Sequence, residues 1–357
     1  MNLDSLQTEV ASWFEPAALE PILASADADG HAHRLAIDWL GLSGKRWRPF
    51  LAACIYQSLQ ESPATQLPED FRRIAVAVEC FHKASLVHDD IEDHDDFRYG
   101  VATLHAQHGV PIALNVGDLL LGLGYRMISR CQASPAAKAA MLEAASAGHC
   151  QLCAGQGAEL AWMARPGPLS VAEVIDIFRR KTAPAFDVAL NLGAIYAGAN
   201  GRTSQILNRF SQALGIAYQI HDDLADFDGG DGSDAMALRP SVLLAIAHEQ
   251  TSGGGRELLD AVWRRKASMA EHFDAVSAII HGNNVLERAR ELREEYKAQA
   301  VQALAPLEGP RRESLRVLLG RVLTRIFGDG QDIQLGCCND YRRRDDALGS
   351  GGQSTVA

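Results

Sequence analysis

The chain has 357 residues, 47% of them hydrophobic, and a formal net charge of -11, enough apolar length for a large buried core. The acidic balance, without a basic stripe, excludes nucleic acid as a partner. Met1-Asn2-Leu3-Asp4-Ser5 is not a secretory signal, no run of about 18 apolar residues marks a membrane span, and the seven cysteines fit reduced thiols, so a cytoplasmic protein is expected.

Helical periodicity dominates and strand alternation is nearly absent, which predicts an all-α protein. Gly44-Lys45-Arg46-Trp47-Arg48-Pro49 reads as a loop entering a helix, where Lys45 and Arg48 suit a phosphate, Arg48 through its forked guanidinium. Apolar positions then recur from Arg73 to Val87 and close on His88-Asp89-Asp90-Ile91-Glu92-Asp93, with His82 two turns before Asp89 on nearly the same face. Further helical stretches run from Ile112 to Ile128, Ala139 to Leu160, Val171 to Phe178, Phe186 to Tyr196, Gln205 to Phe227 and Leu286 to Leu304. Cys150 and Cys153 form a lone C-x-x-C inside one of these helices, without the second pair that zinc would need. Ser170-x-x-Glu173 has the pattern of a capping box. Pro184 cannot donate to the carbonyl of Arg180, so Lys181-Thr182-Ala183-Pro184 predicts a kink. Gln219 and the pair Gln156 and Glu159 are polar groups in otherwise apolar runs, and buried amides need partners. Asp228-Gly229-Gly230-Asp231-Gly232-Ser233-Asp234 and Thr251-Ser252-Gly253-Gly254-Gly255 read as loops. The expectation is one helical domain over 1–327 and a disordered tail over 328–357 that contains Arg342-Arg343-Arg344.

The most informative feature is a repeat. Asp89-Asp90-x-x-Asp93 has a near copy in Asp222-Asp223-x-x-Asp226, each behind an apolar run. Residues i and i+4 share a helix face, so each pentad presents a pair of carboxylates together. Facing each other, such pairs cannot all stay ionised without cations. Hard oxygen ligands of this kind suit Mg2+, which prefers to share its shell with water and substrate phosphate. Asp89, Asp90, Asp93, Asp222, Asp223 and Asp226 are therefore candidate ligands in a phosphate-handling site.

In order along the chain, Gly44-Lys45-Arg46-x-Arg48-Pro49, His82-x-x-Ser85-Leu86 with the first pentad, Arg98 and Gly100, Gly117-Asp118, Gly155-Gln156-x-x-Glu159, Lys181-Thr182, and Gly215-x-x-Tyr218-Gln219 with the second pentad are quoted from one pattern. With them the chain resembles the trans-polyprenyl synthetase family, the head-to-tail isoprenyl diphosphate synthases, from about Gly44 to Ser241. The resemblance implies an all-α helical bundle around a deep central cavity, built as a homodimer. It implies Mg2+ on the two aspartate motifs and condensation of isopentenyl diphosphate with an allylic diphosphate. Lys45, Arg48 and His82 would hold isopentenyl diphosphate, while Arg98 and Lys181 would neutralise the allylic diphosphate. The oxygens of Thr182 and Gln219 would steady the allylic cation. Arg239 and Ser241 stand where the family commonly has Lys and Thr, so Arg239 is a further candidate for substrate binding. Ser85 and Ala84, four and five residues before Asp89, are small where bulky groups would stop growth early. Phe81, one turn deeper, is the expected floor, for a linear product near C20.

Two departures bear on this expectation. Tyr99 replaces the second of two adjacent arginines, and no lysine occurs between Lys181 and Lys266. They leave room for a terpene cyclase, lyase or irregular coupling enzyme that does not use isopentenyl diphosphate. A non-catalytic partner subunit is a further alternative, although both pentads are intact.

Overall fold

The computed structural model describes residues 3–23, 30–42, 44, 46–60, 66–229, 239–307 and 310–328. Lys45, the loop residues from Gly230 to Asp234 and the tail beyond Gly328 lie outside them.

The periodic stretches form helices, and the helices run further than the apolar pattern. In chain order they are α1 (Leu3–Ser12), α2 (Pro16–Leu23), α3 (His31–Gly41), α4 (Trp47–Leu59), α5 (Phe71–Asp93), α6 (Leu104–His108), α7 (Val110–Arg130), α8 (Pro135–Ala164), α9 (Val171–Lys181), α10 (Ala183–Tyr196), α11 (Gly201–Gly229), α12 (Val242–Gln250), α13 (Gly254–Trp263), α14 (Met269–Gly282), α15 (Val285–Ala303) and α16 (Pro310–Phe327). After α5, β1 (Phe97–Arg98) and β2 (Val101–Ala102) pair antiparallel across Tyr99 and Gly100, both at positive φ (55° and 76°). Helix α11 continues through Asp228 and Gly229, so the loop expected there begins later; likewise Gly254 already opens α13.

Local chemistry sets several boundaries. Ser134 Oγ accepts the Ala137 N–H at 3.2 Å, and Pro135 needs no donor at the start of α8. Ser170 and Glu173 form the expected capping box on α9. The kink expected at Pro184 is the α9–α10 junction, where Thr182 (φ -105°, ψ -42°) links the helices and Pro184 sits in the first turn of α10.

Two hydrophobic clusters hold the helices. One contains Trp39, Phe50, Phe71, Phe186 and Phe210; the other contains Phe178, Ile220, Leu244 and Trp263. Tyr296 of α15 packs against both. Helices α5 and α7 run antiparallel and very close. A Cβ on Gly117 would lie 2.3 Å from His88 Nε2, and one on Gly124 would lie 2.6 Å from Phe81 Cε1. Each seven-residue step along α5 is thus matched by one along α7.

Candidate active site between the aspartate motifs

Each pentad ends a long helix whose apolar face is locked in a core. Val76, Ala84 and Val87 anchor α5, and Ile216, Ile220 and Leu224 anchor α11. Helix α5 stops where His94 adopts the left-handed conformation (φ 59°) and donates its N–H to the Asp90 carbonyl.

The second motif borders a cleft lined by Glu159, Lys181, Gln219, Asp223, Asp226 and Arg239 among others, and the first motif is tied to its wall through Arg239 and Lys181. From this wall, Arg239 Nη2 reaches Asp93 Oδ2 at 3.2 Å and Asp95 Oδ1 at 3.4 Å. Lys181 Nζ pairs with Glu159 Oε1 at 3.1 Å. Burial opposes the charge of Lys181, yet Glu159, Asp89 and Asp93 together raise its pKa. Burial pushes the Asp89 carboxyl up to about 6; Lys181 works against the rise, and Asp93 and Glu92 add to it. The acidic wall already draws in the nearest fixed cations.

The middle aspartates differ from their neighbours. Successive residues point about 100° apart around a helix, so Asp90 leaves the face that Asp89 and Asp93 share. It is buried (1% exposed) and ion-paired with Arg98, which also reaches Asp95 Oδ2 at 3.5 Å. Asp223 borders the cleft, but its Oδ2 accepts the Val242 N–H at 2.8 Å and caps α12. In both pentads the middle carboxylate ties the motif to the framework. Of the six candidate ligands, Asp90 and Asp223 thus carry framework contacts as well, and Arg98 is engaged with Asp90.

The donor set fits a hard divalent cation. Asp93 Oδ1 is buried without a hydrogen-bond partner, an arrangement that burial disfavours unless a cation or donor meets it. Among the described residues no three metal-ligating side chains lie close enough to cage an ion unaided. Mg2+ tolerates this, because it binds through one or two carboxylates and keeps oxygens from water and phosphate.

The α9–α10 junction is held from both sides by glycines. A Cβ on Gly155 of α8 would lie 2.5 Å from the Arg180 carbonyl carbon, and one on Gly215 of α11 would lie 2.6 Å from the Ala183 Cα. This approach brings Lys181 to the cleft and sets the Thr182 hydroxyl donating to Gln219 Oε1 at 3.0 Å. On α8, Gln156 Nε2 donates to Glu92 Oε2 at 2.7 Å, while its Oε1 is buried without a partner.

A second polar cluster lies two turns earlier along α5. Arg48, in the first turn of α4, donates from Nη1 to His82 Nε2 at 3.1 Å and lies 5.1 Å from the Phe186 ring centre. Burial first, and then Arg48, hold the His82 pKa well below its ordinary value, so the imidazole is neutral and accepts this bond. Arg46, quoted with Lys45 and Arg48 in the sequence, faces inward. Its Nη1 pairs with Glu79 Oε1 at 2.5 Å, and Nη2 donates to the Leu40 and Leu42 carbonyls at 2.9 and 2.6 Å.

Below Asp89, Ala84 is buried and Ser85 Oγ donates to the His82 carbonyl at 2.8 Å. Phe81 meets Tyr125 of α7 edge-on at 4.9 Å between ring centres, and Tyr125 Oη lies 3.3 Å from His149 Nδ1 of α8. Phe81, Tyr125 and His149 form a shelf across three helices. Sequence reasoning named only Phe81, because the other two are adjacent to it only through the α5–α7 crossing. It also passed over Lys83, whose signal was a charged residue in the core register of α5, four residues after Glu79 and four before Val87.

The polyprenyl synthetase family model matches residues 32–280. Geranylgeranyl pyrophosphate synthase of Geoglobus acetivorans is 27% identical over 322 residues, covering 86% of this chain and 94% of that protein. Farnesyl diphosphate synthase of Escherichia coli (strain K12) is 30% identical over 253 residues, covering 67% of this chain and 82% of that protein. The crystal structure of geranylgeranyl pyrophosphate synthetase from Pyrococcus horikoshii Ot3 superposes with a TM-score of 0.76 at 23% identity, over 90% of this chain and 98% of that one. Among the described residues no helix is long and apolar enough to cross a membrane. On the extent of the family match and the shared helical fold, this chain belongs to the polyprenyl synthetase family and is a prenyltransferase of the isoprenyl diphosphate synthase type.

Proposed function

We propose that the protein condenses isopentenyl diphosphate with an allylic diphosphate, in a Mg2+-dependent reaction, to a linear product near C20. The observation that carries this reading is the cleft beside Asp223 and Asp226, whose wall residue Arg239 is ion-paired with Asp93 of the other motif and whose Lys181 lies within electrostatic reach of Asp89 and Asp93. Mg2+ held by Asp89 and Asp93 from one helix and Asp222 and Asp226 from the other would neutralise the departing diphosphate. Lys181 binds the same diphosphate through its ammonium. Arg239, now on Asp93 and Asp95, can turn to substrate oxygens once those carboxylates are otherwise neutralised. The Thr182 hydroxyl and the Gln219 carbonyl direct their oxygen dipoles at the allylic carbon. Arg48 and neutral His82 orient the second diphosphate, with Lys45 as a further cation of that loop. Tyr218, whose hydroxyl is held protonated by burial and by Asp222, meets the Phe186 ring edge-on at 5.6 Å between ring centres, and Arg48 lies against the same ring.

The Phe81–Tyr125–His149 shelf supports a product of intermediate length. It lies two helical turns, about 12 Å along α5, below Asp89. Phe97 (73%) on the hairpin and Val110 (47%) and Leu114 (48%) on α7 are exposed apolar side chains, which supports a homodimer; action in the cytoplasm is part of the same proposal. Tyr99 favours the second reading, a lyase or cyclase, because it lies within electrostatic reach of Arg48 where an arginine was expected. Pyrophosphate release tests the choice. Release from geranyl or farnesyl diphosphate only when Mg2+ and isopentenyl diphosphate are both present supports the elongase. Release without isopentenyl diphosphate supports the lyase.

A further inference from the structure

Lys83 is fully buried in α5, beside His82. Its ammonium lies 4.3 Å from the centre of the Tyr99 ring and 5.8 Å from that of Trp39, and donates to the Leu42 carbonyl at 3.3 Å. An ammonium has three donors, and a buried charge needs a counter-charge. The carboxylates on either side are each ion-paired through one oxygen, Glu79 Oε1 with Arg46 and Asp90 Oδ1 with Arg98, and neither forms an ion pair with Lys83. Neither Lys83 nor Arg48 has a carboxylate within ion-pair distance among the described residues. Arg48 is bound to a neutral imidazole, and its buried Nε makes no hydrogen bond. With Arg46 set against Glu79 and Arg98 against Asp90, Lys83 and Arg48 are left without an ion pair among the described residues.

Tyr99 ties them together. It occupies a two-residue turn at φ 55°, with its ring over Lys83 and its hydroxyl 3.8 Å from the position a Cβ would take on Gly44, in the basic loop. The residue is 44% exposed, and its ring would have to turn aside for a ligand to reach the fully buried ammonium beneath.

We propose that Lys83 is a substrate-binding residue, which with Arg48 seats the diphosphate of isopentenyl diphosphate while the Tyr99 ring holds its ammonium in place. The inference rests on the elongase reading. A cation–π contact against Tyr99 keeps the charge in place without neutralising it, whereas a carboxylate there would cancel it.

Steady-state kinetics on Lys83→Met and Lys83→Gln, two neutral variants that pack differently, test this. Loss of a charge-assisted contact raises the KM for isopentenyl diphosphate about tenfold or more. The KM for the allylic substrate stays within about twofold, and Lys83→Arg retains most of the affinity. Adding Tyr99→Arg to Lys83→Met restores part of what was lost. An unchanged KM for isopentenyl diphosphate in a folded neutral variant would overturn the proposal, and so would an equal rise in both KM values. If the wild type forms no product that depends on isopentenyl diphosphate, the elongase reading fails. Calorimetric titration of isopentenyl diphosphate onto the metal-free enzyme then decides Lys83 separately. Weaker binding to Lys83→Met or Lys83→Gln supports it, and equal binding overturns it.

Discussion

Gly155→Ala tests whether the α9–α10 junction positions the site. The new Cβ would stand 2.5 Å from the Arg180 carbonyl carbon and 2.7 Å from the Lys181 nitrogen, both backbone atoms that cannot swing aside. Reaching ordinary carbon contact requires the junction to move by roughly 1 Å. Such overpacking costs about 1–3 kcal/mol, of which the better helix propensity of Ala returns about 1 kcal/mol. The net destabilisation is up to about 2 kcal/mol, so Tm falls by no more than about 8 °C. The catalytic effect is larger. Lys181 and Thr182 ride on the displaced backbone, and a misplacement of about 1 Å at a reacting centre can lower kcat by about 10²-fold. Gly157→Ala, two residues along the same helix, meets nothing within 4 Å and is the control. It should raise stability by up to about 1 kcal/mol with kcat unchanged. Differential scanning fluorimetry and steady-state turnover on the pair read both quantities. Equal kcat for Gly155→Ala and the wild type would refute the claim that this close approach positions Lys181 and Thr182.

Asp89→Ala and Asp222→Ala should each lower Mg2+-dependent turnover by about 10²-fold or more while the helical circular dichroism persists; near-normal activity in either would remove that residue from the metal site. Phe81→Ala should lengthen the product, read by mass spectrometry, because it opens the shelf against Tyr125; an unchanged or shorter product would mean that the shelf is not the floor. Affinity for isopentenyl diphosphate should also fall as pH rises through about 8. Burial lowers the Lys83 pKa to about 8, against Glu79 and Asp90, which raise it, and together with Arg46 and Arg98, which lower it further. The protonated form binds, so KM is low below that pH and climbs above it. Lys83→Arg should flatten the profile, and a wild-type KM that stays constant from pH 7 to 9 would contradict the assignment.

The parts of this account that lie within one helix were legible in the sequence. The spacing of Asp89 and Asp93 puts them on one face whatever surrounds the helix, Ser170-x-x-Glu173 caps by local geometry, and Pro184 breaks a helix by its own chemistry. Interactions between elements were not legible. That Asp223 caps α12, that Asp90 is taken by Arg98, and that Phe81, Tyr125 and His149 make one shelf all depend on how separate elements fold back on one another. Only at the shelf does a glycine mark the crossing, Gly124 against Phe81, and a glycine does not name its partner. The extension of α11 through Gly229 was missed because glycine and aspartate weigh against helix locally, whereas burial of Ile216, Ile220 and Leu224 carries the helix forward.

Product analysis tests the central claim most directly. Purified protein is incubated with Mg2+ and geranyl or farnesyl diphosphate, with and without isopentenyl diphosphate, and the products are separated by length. A linear diphosphate near C20, formed only with isopentenyl diphosphate, is the expected result. A hydrocarbon or alcohol formed without it would contradict the elongase and make the cleft that of a terpene synthase.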